Sequence, residues 1–81
     1  MVNNLYMLYD NVSQSYISTP IVCPNKAVML RNLKSLIKVN KFQFIDMIDD
    51  LKLFCVGTID LNTGVIKSEI EFISNLSDLK E

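Results

Sequence analysis

Hydrophobic and polar positions change their period several times along the chain, and each change marks an expected element. Leu5 to Asp10 mixes aromatic and aliphatic residues and ends at Asp10-Asn11, whose short polar side chains bond their own backbone and favour a turn. A first strand leading into a hairpin is predicted. Ser15 to Cys23 resumes with Tyr16, Ile17, Ile21, Val22 and Cys23, but Pro20 removes a ladder donor and demotes the segment to an irregular edge strand.

Pro24-Asn25 offers a break and an N-cap, and Lys26 to Val39 then runs fourteen residues without Gly or Pro. This is the main predicted helix. At about 100° per residue, Met29, Leu30, Leu33, Leu36 and Ile37 gather on one side. Asn40 and Lys41 suit its C-terminus, where a cation meets the negative end of the helix dipole. Gln43 to Asp49 reads as a short second helix burying Phe44, Ile45 and Ile48, although its acids near the C-terminal end oppose the dipole.

Leu51 to Asp60 is apolar on both alternating sides and reads as a central strand. Leu61-Asn62-Thr63-Gly64 is a hairpin turn, with Gly64 supplying positive φ, and Val65 to Ile70 returns antiparallel. In Glu71 to Glu81 the spacing of Phe72, Ile73, Leu76 and Leu79 predicts a terminal helix. The expected fold is α+β: a small antiparallel sheet of two hairpins (β-β-α-β-β), one main helix packed on it, and a short C-terminal helix. Residues 1–81 form one domain in this reading, because 81 residues cannot build two stable cores.

Composition adds that the chain folds: 49% of residues are hydrophobic and 21% charged, far from the balance that keeps a chain disordered. So small a core gains stability from self-association, and a homo-oligomer, most simply a dimer, is expected. No apolar run exceeds about four residues, as at Ala27-Val28-Met29-Leu30, so a soluble protein without a membrane span is expected. The start, Met1-Val2-Asn3-Asn4, has neither the charged nor the long apolar region of a secretory signal. Cys23 and Cys55 therefore read as free thiols in a reducing compartment, with a single disulfide the lesser alternative.

The chain contains no His, which removes the commonest general base and metal ligand together. Its only glycines, Gly57 and Gly64, make no phosphate-binding loop, and Asp49-Asp50 reads as solvated surface rather than a catalytic pair. No enzyme activity, cofactor, metal or small-molecule substrate is expected.

Charge, by contrast, is unevenly spread. The net charge is only −1, but residues 1–45 carry Lys26, Arg31, Lys34, Lys38 and Lys41 against Asp10 alone, whereas residues 46–81 carry three lysines against eight acids. Arg31, Lys34, Lys38 and Lys41 fall at i, i+3, i+7 and i+10, a cationic stripe beside the apolar side of the main helix. Such a stripe neutralises phosphates with little regard to sequence, and Tyr9 and Tyr16 of the first hairpin, with Tyr6, would add stacking surfaces for unpaired bases. The plainer reading is a wet basic helix face and tyrosines used in packing; the acidic pI near 5.2 favours it.

Tyr6-x-x-Tyr9-Asp10, Ser13-x-x-Tyr16, Pro20, Ala27, Arg31, Asp50-Leu51-x-Leu53 and Gly57-x-x-Asp60-x-x-Thr63-Gly64 together span most of the chain. In this pattern the chain resembles the small nonstructural protein of gokushovirus-type microviruses, single-stranded DNA bacteriophages. The late hairpin, DLKLFCVGTIDLNTG from Asp50 to Gly64, carries the most specific part, although Asp49 stands where that family often has a proline. Its richness in Asn, Ile and Lys also suits an AT-rich genome. The resemblance implies an accessory factor of the host bacterial cytoplasm, absent from the mature particle, with relatives described as DNA-binding or single-stranded DNA synthesis proteins. Of the matching positions only Arg31 is carried over from the resemblance as a functional candidate; the lysines rest on helical periodicity and the tyrosines on their stacking chemistry.

Three functions then stand side by side. The first is a nonenzymatic phage accessory protein whose basic residues Lys26, Arg31, Lys34, Lys38 and Lys41, with Tyr9 and Tyr16, contact single-stranded DNA during genome synthesis or packaging. The second is a protein-interaction module that self-associates or docks on a replication or assembly partner through the same helix. The third is a capsid or scaffolding component.

Overall fold

A computed structural model describes residues 1–80. The elements run β1 (Val2–Asp10), β2 (Ser15–Tyr16), β3 (Ile21–Cys23), α1 (Lys26–Lys38), a 3-10 helix (Ile45–Asp50), β4 (Leu51–Asp60), β5 (Ile66–Asn75) and a second 3-10 helix (Leu76–Leu79). The five strands form one antiparallel sheet in the order β2-β1-β4-β5, with β3 also on β1. The α+β architecture is therefore as the hydrophobic pattern predicts.

The first hairpin turns on Asp10. Its carboxylate accepts from Val12 N at 3.0 Å and Ser13 N at 3.4 Å, and its carbonyl accepts from Gln14 N at 2.8 Å. These bonds from backbone N–H groups, Val12 first, hold the Asp10 carboxyl below its ordinary range. The predicted irregular edge is real and has a cause: β2 pairs only with Tyr9 and Asp10, β3 only with Asn4 to Tyr6, and Ser18-Thr19-Pro20 interrupts them. Across that gap Ser18 Oγ accepts from Leu8 N at 2.9 Å, so the β1 backbone is not left unpaired.

Helix α1 starts where Asn25, in extended conformation, accepts from Val28 N at 2.9 Å, an N-cap worth about 1 kcal/mol. It ends in a left-handed Asn40, with Lys41 N donating to Leu36 O at 2.9 Å in the 6→1 bond of a Schellman turn. Met29 and Leu33 are buried, and Leu30 and Ile37 partly so. Leu36, expected on the core side, is 43% exposed at the margin.

The core lies between α1 and one face of the sheet. Tyr6 and Leu8 of β1 and Leu51 and Leu53 of β4 meet Met29, Leu33, Phe42, Ile48, Leu76 and Leu79 there. Burial pushes the Tyr6 phenol above its usual range, while Asn4 Nδ2 donates to its oxygen at 3.0 Å. Cys23 and Cys55 are free thiols.

Two helical expectations need correction. Gln43 to Asp49 forms no α-helix; the chain makes the 3-10 helix Ile45–Asp50, which needs fewer residues to bury Ile48 and enters β4 at once. The terminal helix over Glu71 to Glu81 is replaced by an extension of β5 to Asn75 and a single 3-10 turn at Leu76–Leu79. The alternation of Ile66, Ser68, Ile70 and Phe72 with Lys67, Glu69 and Glu71 has period two, and it outweighs the partial helical spacing of Phe72, Ile73, Leu76 and Leu79. Leu76 and Leu79 are buried as expected, while Glu81 lies outside the described residues.

Candidate nucleic-acid interface

The cations of α1 are placed by the same geometry that places its core residues. Met29, Leu33 and Ile37 define the inward side, and Arg31, Lys34 and Lys38 project more than a quarter-turn away, as exposed neighbours three and four residues apart. Like charges at that spacing repel by about 0.2–0.5 kcal/mol per pair, so the arrangement is slightly unfavourable until an anion approaches. Among the described residues the ion pairs are Lys80 Nζ with Asp49 at 2.8 Å and the Met1 ammonium with Asp60 at 3.7 Å. Neither engages an α1 cation. Among the described residues, Arg31, Lys34 and Lys38 thus have no acidic partner.

Lys34 and Lys38 form one wall of an open groove of about 620 Å³ between α1 and the C-terminal 3-10 helix. Its floor is apolar, from Ile37, Ile45 and Leu79, and Lys80 stands on the far side. Sequence periodicity missed Lys80 because it belongs to another element; only the packing of Leu79 against the core brings it here. Its bond to Asp49 is a surface pair, worth about 0–1 kcal/mol, and a polyanion competes with it readily.

The other predicted contact residues lie apart from this group. Lys26 is exposed in the first turn of α1, two helical turns from Lys34. Lys41 leaves the stripe, because the left-handed Asn40 redirects the chain and sets Lys41 with Leu36 and Phe42 beside a second groove, on the opposite flank of α1. Tyr9 and Tyr16 are paired in register, on the sheet face turned away from α1, since Tyr6, Leu8 and Asp10 alternate to the helix side. The basic helix and the tyrosines do not make one surface.

On that far face Tyr9 and Tyr16 belong to an aromatic row that the sequence reading did not assemble. Ring centroids lie 5.2 Å apart for Tyr9 and Tyr16, 5.8 Å for Tyr9 and Phe54, and 5.7 Å for Phe54 and Phe72, all edge to face. Lys52 Nζ sits 5.9 Å from the Phe72 ring centre. The signal was the cross-strand register, which places Phe54 opposite both Met7 and Phe72. Edge-to-face contacts occupy these rings with one another, as in ordinary cross-strand packing.

Among the described residues no cluster of His, Cys, Asp and Glu has the makings of a metal site, and no helix is long and apolar enough to cross a membrane. No curated protein and no solved structure matches the chain. The family model described as Phage ORF5 protein, however, matches residues 3–79, taking in both hairpins, α1 and the C-terminal turn. The chain belongs to the Phage ORF5 protein family, and is a bacteriophage protein.

Proposed function

We propose that this phage protein is a nonenzymatic accessory factor of a gokushovirus-type microvirus, acting in the host cytoplasm, and that the exposed face of α1 contacts single-stranded DNA during genome synthesis or packaging. The observation that carries the reading is the set Arg31, Lys34 and Lys38, exposed on one side of one helix and free of acidic partners among the described residues. Phosphates meeting such a set release condensed counterions. The apolar floor from Ile37, Ile45 and Leu79 between Lys34, Lys38 and Lys80 suits unstacked bases beside a backbone better than the regular face of a duplex.

The double variant Lys34→Glu/Lys38→Glu tests this. Both side chains are exposed, so the fold should persist, while retention on a single-stranded DNA column at low salt should be lost. Full retention by a folded variant refutes the reading.

A second reading rests on the acids of the other half: Asp46, Asp49, Asp50, Glu69 and Glu71 are all exposed. A basic helix that docks on such a surface, in another copy or a replication partner, would give a salt-sensitive protein complex with no DNA affinity.

A further inference from the structure

The two edges of the sheet are unlike. The β2/β3 edge is broken into pieces of two and three residues and carries Pro20, which protects it from pairing. At the other edge β5 extends ten residues without Gly or Pro and bonds only to β4. Its outer N–H and C=O groups form a ready template for another strand. Ile66 and Ile70, each 63% exposed, and Phe72 lie on the face away from α1, while Lys67, Glu69 and Glu71 alternate to the other.

Charged residues on an edge ordinarily discourage pairing, but here their order selects one partner. Pairing β5 with a second β5 antiparallel keeps like faces together only when the two-fold axis passes through a residue; otherwise Lys67 or Glu69 would face isoleucine or serine. An axis at Lys67 sets that lysine against itself, one at Glu69 sets that glutamate against itself, and one at Ile70 sets Glu69 against Glu71. An axis at Ser68 avoids every such clash: Lys67 of each copy opposes Glu69 of the other, and Ile66 opposes Ile70. The segment 66–70 is self-complementary in charge and in hydrophobicity, in a single register.

We infer that β5 pairs antiparallel with β5 of a second copy about a two-fold axis at Ser68, joining two sheets into one. This does not depend on the DNA reading, and it leaves the α1 face of each copy free. Residues facing each other at such an axis have Cα atoms about 4.5–5.5 Å apart, within disulfide reach.

The test uses the full chain without nucleic acid. The native protein should sediment as a dimer, and Ser68→Cys should give a disulfide-linked dimer under mild oxidation. Lys67→Glu and Glu69→Lys should each weaken the dimer roughly tenfold or more, since each creates two like-charge oppositions. The combination of both should restore it, and circular dichroism reports that each variant is folded. A native chain still monomeric at about 100 µM, which places any Kd well above that concentration, would overturn the inference. So would single reversals that leave the dimer unchanged, or cross-linking of Glu69→Cys in place of Ser68→Cys.

Discussion

Gly57 sits where β4 changes register against both of its neighbours, between Tyr6–Cys55 and Leu5–Gly57 on one side and between Glu71–Cys55 and Ser68–Gly57 on the other. A Cβ there would overlap the Lys67 carbonyl oxygen and come within 3.1 Å of its carbon and 3.2 Å of Ser68 Cα, all backbone atoms that cannot swing aside. Gly57→Ala should therefore cost about 1–3 kcal/mol, and urea unfolding measures it; a loss below about 0.5 kcal/mol would show that the strands separate easily there. Asp10 contributes a pH dependence. Its folded-state pKa is held below the ordinary carboxyl range by the Val12 N–H, so its contribution is complete above the unfolded pKa and is lost as pH falls through the folded one. Asp10→Asn keeps an acceptor for the Val12 N–H, places an amide NH2 where the second oxygen faced Ser13 N, and cannot titrate, so whatever its starting stability it should lose less than the parent between about pH 7 and about pH 3. Equal losses in both proteins would mean that other carboxylates govern the acid limb. At this scale the sequence was informative wherever a residue's local chemistry decides: the turn at Asp10, the cap at Asn25 and the positive φ at Gly64 were all legible. The requirement for Gly57 was not, because it arises from the approach of Lys67, ten residues away.

Among elements, α1 was the clearest in the sequence, because an unbroken run, a cap and a 3.6-residue period agree. The C-terminal segment was the least clear. Phe72 and Ile73 fit a helical pattern with Leu76 and Leu79, and it is the pairing of Glu71, Phe72, Ser74 and Asn75 with β4 that keeps the chain extended to Asn75. That misreading hid the length of the β5 edge, and with it the self-complementary order of Lys67 and Glu69. The cationic stripe was legible as far as the helix runs straight. Arg31, Lys34 and Lys38 stay together, Lys41 is carried off by the turn at Asn40, and Lys80 joins them from a distant part of the chain.

For the whole molecule, the sheet separates two surfaces of different character. The α1 side offers exposed cations over an apolar groove, and the far side offers the aromatic row of Tyr9, Tyr16, Phe54 and Phe72. Tyr16 is 36% exposed and Phe72 49%, so each can be truncated without opening the core between sheet and helix. If DNA contact is confined to α1, Tyr16→Ala and Phe72→Ala should leave affinity for single-stranded DNA within about twofold, whereas stacking on the row would cost about 1–3 kcal/mol per base lost. Fluorescence anisotropy with a labelled oligonucleotide separates these outcomes. Repeating that titration across a salt series, for the native chain and for Lys34→Glu/Lys38→Glu, tests the central claim most directly. With Arg31, Lys34 and Lys38 each meeting one phosphate, log affinity should fall with log salt at a slope of about −2, and the slope should flatten towards zero in the variant. An absence of binding at low salt, or a slope the two substitutions leave unchanged, would contradict a DNA-contacting face on α1.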